Sequence, residues 1–450
     1  MKPPKPASRP DKVSLWRYMQ LFRSDILSAQ PERLYRAKMA EFRTPFFRSY
    51  LINQPDLIRE VLKKRPMDFP KSTRVSEGLR PLLGNSVFLT NGDVWKSQRR
   101  IIDPAFEGGR LRDVFPAILA AGTEMITRLQ GQSGELEVEE FTSHAAADVI
   151  FRTLFSIPIT DEIAGRVFEE FRNYQRSQPI LNLAAFIPMP KWLPRFHSAK
   201  TRKSAKLIRA LITELTNRRT AEIEAGTAPD DLATKIMTQK DPQTGRCFGA
   251  EEMVDQVAIF FLAGHETSAA ALAWALYLLA AHPEAQEKLA SEAATLPDVP
   301  VFSDLSKLKY TRDVFREALR LYPPVPMLVR ETTGLEKFRN RELKRGAQVV
   351  ISPWHLHRHQ DLWPNPDEFD PERFSNEAGK KCLRDAYLPF SSGARVCPGA
   401  GFAMIEGPLF LALLVRTFRF SPVAGKVPVP EAHLTVRAKD GIWLEAEMRS

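Results

Sequence analysis

Apolar residues recur at three- and four-residue spacing through 111–131, 144–155, 161–177, 198–224, 250–281, 283–294 and 310–321, the period of helices that bury one face. Two-residue alternation is confined to short runs at 46–52, 327–332 and 348–352, and to a pair, 434–438 and 442–446, set about the turn Lys439-Asp440-Gly441. The pattern predicts a mostly helical α+β protein with a C-terminal hairpin. Proline-rich stretches at 3–10, 179–194, 297–300, 323–326, 364–371 and 422–430 punctuate the helices, because proline lacks the N–H that a helix interior uses. None reads as an interdomain linker. Residues 1–14 form a Pro/Lys-rich leader, expected to be flexible.

The run 257–281 is apolar on every side and as a helix would reach about 37 Å, enough to cross a bilayer of roughly 30 Å. His265 and Glu266 interrupt its middle, where a charge costs on the order of 3 kcal/mol in lipid. A large protein buries such a helix at the centre of its core, and that is the expectation here.

A chain of 450 residues suits two or three domains by length alone. Lys and Arg total 64 against 54 Asp and Glu, a net charge of +10 that suits an acidic partner or an anionic surface; nothing in it calls for nucleic acid. The three cysteines, Cys247, Cys382 and Cys397, have no C-x-x-C spacing, which excludes the usual zinc and dithiol sites and points to a reducing compartment. The N-terminus lacks the apolar core of a secretory signal or anchor, so a soluble, cytoplasmic protein without a transmembrane segment is expected.

Candidate chemistry gathers where Phe390, Gly393, Arg395, Cys397 and Gly399 share one short loop ahead of an apolar helix at 402–418. Gly393 allows a tight turn, Arg395 supplies a fixed cation, and Gly399 permits close backbone approach just past the thiol. A thiolate beside a cation at a helix N-terminus is stabilised, so the loop can present one sulfur to a metal or an electrophile; a buried structural cysteine is the alternative.

The spacing F-x-x-G-x-R-x-C-x-G resembles the haem-binding signature of the cytochrome P450 family, and the chain is similar to its soluble, bacterial-type members over about residues 30–450. Trp95 and Arg99 look like the W-x-x-x-R of the family's C helix. Ala263-Gly264-His265-Glu266-Thr267 is similar to the A-G-x-[DE]-T of its long central I helix. Glu317 and Arg320 resemble the E-x-x-R of its K helix, and Arg373 lies in a segment like its P-E-R-F. The resemblance implies a large helical part with a small β-rich part, and haem b buried between the I and L helices. Cys397 would be the axial ligand of the iron, with Trp95, Arg99 and Arg330 on the propionates and Phe390, Gly393, Arg395, Gly399 and Ala263 around the cofactor. Because Trp95 and Cys397 would touch one cofactor, residues 15–450 are expected to form a single catalytic domain. Glu317, Arg320 and Arg373 would form a buried structural network.

A haem-dependent monooxygenase is therefore expected, combining an apolar substrate (a fatty acid, terpenoid or other lipophilic compound), dioxygen and two electrons to give hydroxylated product and water. Glu266 and Thr267 would deliver the protons, a general-acid arrangement worth about two to four decades of rate. By family position Leu82, Leu83, Phe88, Leu181, Phe186, Phe260, Ala263, Val325, Leu328 and Ile442 would line the substrate pocket. No glycine-rich nucleotide-binding fingerprint follows a strand, so electrons are expected from NAD(P)H through a separate acidic ferredoxin or flavodoxin and its reductase. That partner would meet a basic surface built from Lys96, Arg100, Arg110 and Arg112 of a monomer. The basic run 191–209, after apolar residues 186–190, would be a lid over the substrate channel, with membrane contact as a lesser option. A peroxide-driven or non-oxygenating haem-thiolate enzyme would not need the acid and alcohol at 266 and 267, and neither would a haem or lipid carrier without catalysis.

Overall fold

The computed structural model of the chain describes residues 2–43, 48–107, 109–132, 134–177 and 199–449. Its α-helices are, in chain order, α1 Leu15–Ser24, α2 Pro55–Arg59, α3 Thr73–Leu83, α4 Gly92–Phe106, α5 Arg110–Gln130, α6 Val138–Phe155, α7 Glu162–Ser177, α8 Ala199–Glu224, α9 Leu232–Thr238, α10 Ala250–Ala281, α11 Pro283–Ala293, α12 Lys309–Leu321, α13 Pro353–Leu356, α14 Glu377–Ala386 and α15 Ala400–Thr417. Its strands are β1 Met39–Arg43, β2 Arg48–Ile52, β3 Glu135–Glu137, β4 Leu328–Glu331, β5 Glu336–Phe338, β6 Arg341–Leu343, β7 Gln348–Ile351, β8 Phe418–Pro422, β9 Pro430–Ala432, β10 Val436–Ala438 and β11 Trp443–Met448. The predicted helices are all present. The start of α6 lies upstream of the periodic run because its first turn carries Glu139 and Glu140, which give no apolar period.

The chain divides into two compact units, one of Met1–Phe69, Gly122–Ala145 and Glu266–Ser450, the other of Pro70–Ala121 and Ala146–His265. Every strand among the described residues belongs to the first unit. There β1-β2-β7-β4 form one sheet, with β2 and β7 parallel and the other neighbours antiparallel. A second sheet, β3-β11-β8, is antiparallel throughout.

The predicted C-terminal hairpin does not form, although both of its strands exist. β10 pairs with β9, while β11 has β3 on one edge and β8 on the other. Two-residue alternation decides which face a strand buries and says nothing about its neighbour. The neighbour is decided by distant residues: the Glu137 carboxylate accepts Ile442 N–H at 3.2 Å, and Val138 N–H donates to Ile442 O at 2.9 Å.

The leader, expected to be flexible, is tied to the first unit. Arg9 Nε donates to Ala29 O at 2.6 Å, Tyr322 Oη donates to Pro4 O at 2.9 Å, and Lys5 pairs with Asp367 at 2.8 Å. In the core of this unit α12 and α15 pack so closely that a Cβ on Gly407 would stand 2.2 Å from the Phe315 ring. Trp274 of α10 stacks on Tyr322 with centroids 3.9 Å apart. α10 and α15 are each long and apolar enough to cross a membrane, but 72% and 67% of their apolar windows are buried inside the protein, as suits core helices.

The second unit has helices and loops and no strand among its described residues. Buried ionic clamps join its helices to one another. Asp241, fully buried, receives both Arg100 nitrogens at 2.6 and 2.7 Å and the Ser97 hydroxyl at 2.7 Å. Asp255 of α10 accepts Arg209 of α8 at 2.6 Å and Asn85 N–H at 2.7 Å.

Candidate functional site

The Cys397 loop is held by a relay of side-chain and backbone hydrogen bonds that begins far upstream. Glu317 and Arg320, both fully buried on α12, pair at 2.7 Å through both guanidinium nitrogens; Arg373 Nε adds 2.9 Å and Asp370 N–H 3.0 Å to the same carboxylate. Arg320 also donates to the carbonyls of His357, Pro366 and Glu368 at 2.6 to 2.9 Å. The structure thus brings the three predicted network residues together and adds His357. The His357 ring accepts Leu388 N–H at Nε2 (2.7 Å) and faces Arg320 O through Nδ1 (3.2 Å), so Nδ1 carries the proton. Burial lowers its pKa to about 3, which keeps the ring neutral. Two residues beyond Leu388, Phe390 O accepts Cys397 N–H at 2.9 Å and closes the loop.

Gly393 is required inside that loop. Its φ is +71°, and a Cβ there would lie 2.0 Å from Leu62 O. Val396 N–H returns to Gly393 O at 3.0 Å, and Arg395 ends this turn half-buried. Cys397 follows as an exposed thiol three residues before α15, whereas Cys382 is buried with its thiol on Leu362 O at 3.1 Å, and burial pushes its pKa up. Cys247, half-buried, stands three residues before α10, so a place ahead of a helix does not by itself single out Cys397; the loop does.

Arg330 of β4 tests whether an anionic cofactor fits this unit. The residue is 4% exposed, its one hydrogen bond among the described residues goes to Val329 O at 3.3 Å, and burial lowers its pKa to about 10. A guanidinium buried without a carboxylate calls for an anion, and the propionates of a haem would supply one. An exposed cysteine on a rigid loop and an uncompensated buried arginine fit a haem with its iron on sulfur.

In the second unit, Trp95 and Arg99 lie one turn apart on α4, Trp95 buried and Arg99 paired with Asp103 at 2.7 Å. On α10, an otherwise buried helix, Phe260, Ala263, Gly264, Thr267 and Ser268 keep one accessible stripe, with Ala263 exposed. Gly264 meets Ile150 so closely that a Cβ would stand 2.6 Å away. His265 is buried edge-on to Phe168. Glu266 is buried too: it accepts the Thr435 hydroxyl and pairs with Arg437 Nε at 3.4 Å.

Of the predicted substrate contacts, Leu82, Leu83 and Ile442 are fully buried and serve as core; Phe88, Phe260, Val325 and Leu328 are half-buried. Leu181 and Phe186 lie outside the described residues, as does 191–198 of the basic run. A cleft of about 520 Å³ in the second unit is lined by polar residues such as Arg80, Asn85, Gln98 and Glu251 and holds none of these candidates. The predicted basic surface is largely neutralised. Arg100 is committed to Asp241, Lys96 pairs with Asp93 at 3.0 Å and Arg110 with Asp113 at 3.5 Å.

Sequence reasoning missed Glu406, a buried acid on α15 whose Oε2 accepts the Ser268 hydroxyl at 3.1 Å. Burial pushes its pKa up to about 8. The available signal was a lone acid in the apolar text Ile405–Val415. Glu139 was missed as well; it accepts Ala438 N–H at 3.1 Å and has its pKa pushed up by burial to about 7.

A model of the cytochrome P450 family matches residues 34–444. The chain is 32% identical to cyclooctat-9-en-7-ol 5-monooxygenase of Streptomyces melanosporofaciens, over 86% of this chain and 83% of that protein. It is 31% identical to cyclooctatin synthase of the same organism, over 86% and 84%. Identity to 11-oxo-beta-amyrin 30-oxidase of Glycyrrhiza uralensis is 30%, over 87% and 77%.

Proposed function

The chain belongs to the cytochrome P450 family and is a haem-dependent monooxygenase, and we propose that its substrate is a lipophilic small molecule, terpenoid or fatty acid, hydroxylated at an unactivated carbon. Cys397 carries the reading, as the exposed thiol that heads α15 on a loop closed by Phe390 O. Support for a lipophilic substrate comes from relatives named for oxidation of cyclooctat-9-en-7-ol and 11-oxo-beta-amyrin. The balanced reaction takes substrate, dioxygen, two electrons and two protons to hydroxylated product and water.

Haem b, when bound, supplies the activation of dioxygen, which no side chain can perform. Cys397 would hold the iron as thiolate, its negative charge favoured by the start of α15 and by Arg395. Arg330, Trp95 and Arg99 would bind the propionates. Thr267 lies on the accessible stripe of α10 and would hold a proton at the oxygen site. Glu266, anchored by Thr435 and Arg437, would restore it. Electrons would come from NAD(P)H through a separate ferredoxin or flavodoxin, meeting Lys96 and Arg110, whose side chains keep 45% and 43% exposure despite their acid partners. Residues 15–450 would act as one catalytic domain in a cytoplasmic monomer; the burial of α10 and α15 supports their reading as core helices.

The test is the ferrous carbon monoxide spectrum. Wild type is expected to show the strongly red-shifted Soret band of thiolate ligation, and Cys397→Ser to lose it. Persistence of that band in the variant removes Cys397 as the ligand.

A further inference from the structure

Phe88 lies on the segment between α3 and α4, and the backbone on either side of it is fixed from within the second unit. Gln98 Nε2 donates to Asn85 O at 2.7 Å, Val87 N–H donates to Gln256 Oε1 at 2.9 Å, and the N–H groups of Leu89 and Thr90 return to Ser86 O at 2.9 and 3.1 Å. These bonds hold the chain, but none of them touches the Phe88 carbonyl or ring. One ammonium takes both. Lys71 Nζ donates to Phe88 O at 2.7 Å and stands 3.7 Å from the centroid of the Phe88 ring. Lys71 is itself set in place: its N–H donates to Asn91 Oδ1 at 3.0 Å, and Asn91 Nδ2 donates to Lys71 O at 3.1 Å. This reciprocal amide clamp joins the two ends of the segment 71–91, so the backbone delivers the ammonium to Phe88.

Lys71 is half-buried, and a partly desolvated cation holds an aromatic face more strongly than one in open water. The phenyl ring cannot swing without losing the cation, because the same group also holds the carbonyl of its own residue. We propose that Lys71 is a positioning residue that sets substrate specificity, by fixing the Phe88 ring as a rigid wall of the lipophilic pocket. The proposal rests on the reading of the chain as a monooxygenase in which Phe88 lines the substrate site. A fixed wall discriminates between ligand shapes, since it does not turn aside for a bulky body or close on a slim one. Lys71 acts through the ring and not on the substrate.

The test uses full-length, haem-loaded protein and two probes, N-octylimidazole and N-adamantylimidazole. The free ring nitrogen of each binds iron while its alkyl body fills the pocket, and affinity is read from the Soret shift. Wild type is expected to discriminate between the slim and the bulky probe. In Lys71→Met, which keeps an apolar stem without charge or donor, the ratio of the two dissociation constants should move about tenfold toward unity. Lys71→Arg, whose guanidinium also donates and stacks on a ring, should keep the wild-type ratio. Phe88→Ala should shift the ratio as well, and adding Lys71→Met to it should change nothing further. Asn91→Ala loosens the same clamp and should shift the ratio in the same direction, which serves as the test if Lys71→Met fails to load haem. An unmoved ratio in Lys71→Met, or in Asn91→Ala where that variant stands in for it, overturns the role of Lys71 when Phe88→Ala does shift. A further shift on adding Lys71→Met to Phe88→Ala overturns it too, because the lysine then acts on the ligand directly. An unmoved ratio in Phe88→Ala, or no discrimination in wild type, overturns the reading of Phe88 as a pocket wall, and the proposal with it.

Discussion

Glu317 takes four donors, two from Arg320 and one each from Arg373 and the Asp370 N–H, whereas Glu406, buried among the apolar residues of α15, has among the described residues only the Ser268 hydroxyl. Both carboxyls belong to the first unit, and both are withdrawn from water. The difference lies in what each was given in exchange. A buried carboxylate is stable where guanidinium and backbone N–H groups replace its hydration, and Glu317 spends those bonds on joining α12 to the segment that leads into the Cys397 loop. With one hydroxyl for company, Glu406 keeps its proton at neutral pH, its pKa near 8. Glu139 stands between these extremes, with the Ala438 N–H at 3.1 Å and a pKa pushed up by burial to about 7.

The sharpest way to break the comparison is Glu317→Gln. It strands Arg320 and Arg373 as buried charges and should cost about 3 to 5 kcal/mol of unfolding free energy, read by denaturant titration. A loss below about 1 kcal/mol would reduce this network to an ordinary ion pair. Next in size is the pH dependence that Glu406 imposes. Its pKa rises from 4.5 unfolded to about 8 folded, so between those values the native state binds more protons than the unfolded state. Stability from this group is therefore present below pH 4.5 and lost as pH rises toward 8. Comparing wild type with Glu406→Gln across that window should isolate a slope totalling on the order of a few kcal/mol, present in wild type and absent in the variant. Identical pH profiles would place Glu406 with the ionised acids. Ser268→Ala should have the smallest effect, on the order of 1 kcal/mol near pH 7, because it removes the hydroxyl that steadies the carboxyl. Unchanged stability would mean that the neutral acid does not need its hydroxyl.

The helices were legible because their apolar period persists over many residues, and a long period survives local irregularity. Short or polar helices such as α14 were not, for α14 depends on its Asn376 cap, whose side chain accepts Gly379 N–H at 2.8 Å. The C-terminal strands were read and their pairing was not, since the ladder of β11 was settled by Glu137 and Val138, some three hundred residues away. Cys397 could be singled out because five fixed positions crowd into one loop. Arg330 and Glu406 carry no local mark of their surroundings.

Local order along the chain thus determined the helices, the apolar character of α10 and α15, and the loop that offers Cys397, because each is written in contiguous residues. Only the tertiary structure decided that His357 steadies Leu388 and that Glu317 is saturated with donors while Glu406 keeps its proton. A carboxyl's charge depends on who meets it after folding, and those neighbours lie far off in the chain. The loop at position 397 is written in contiguous residues; for the buried acids, folding assigned the charge.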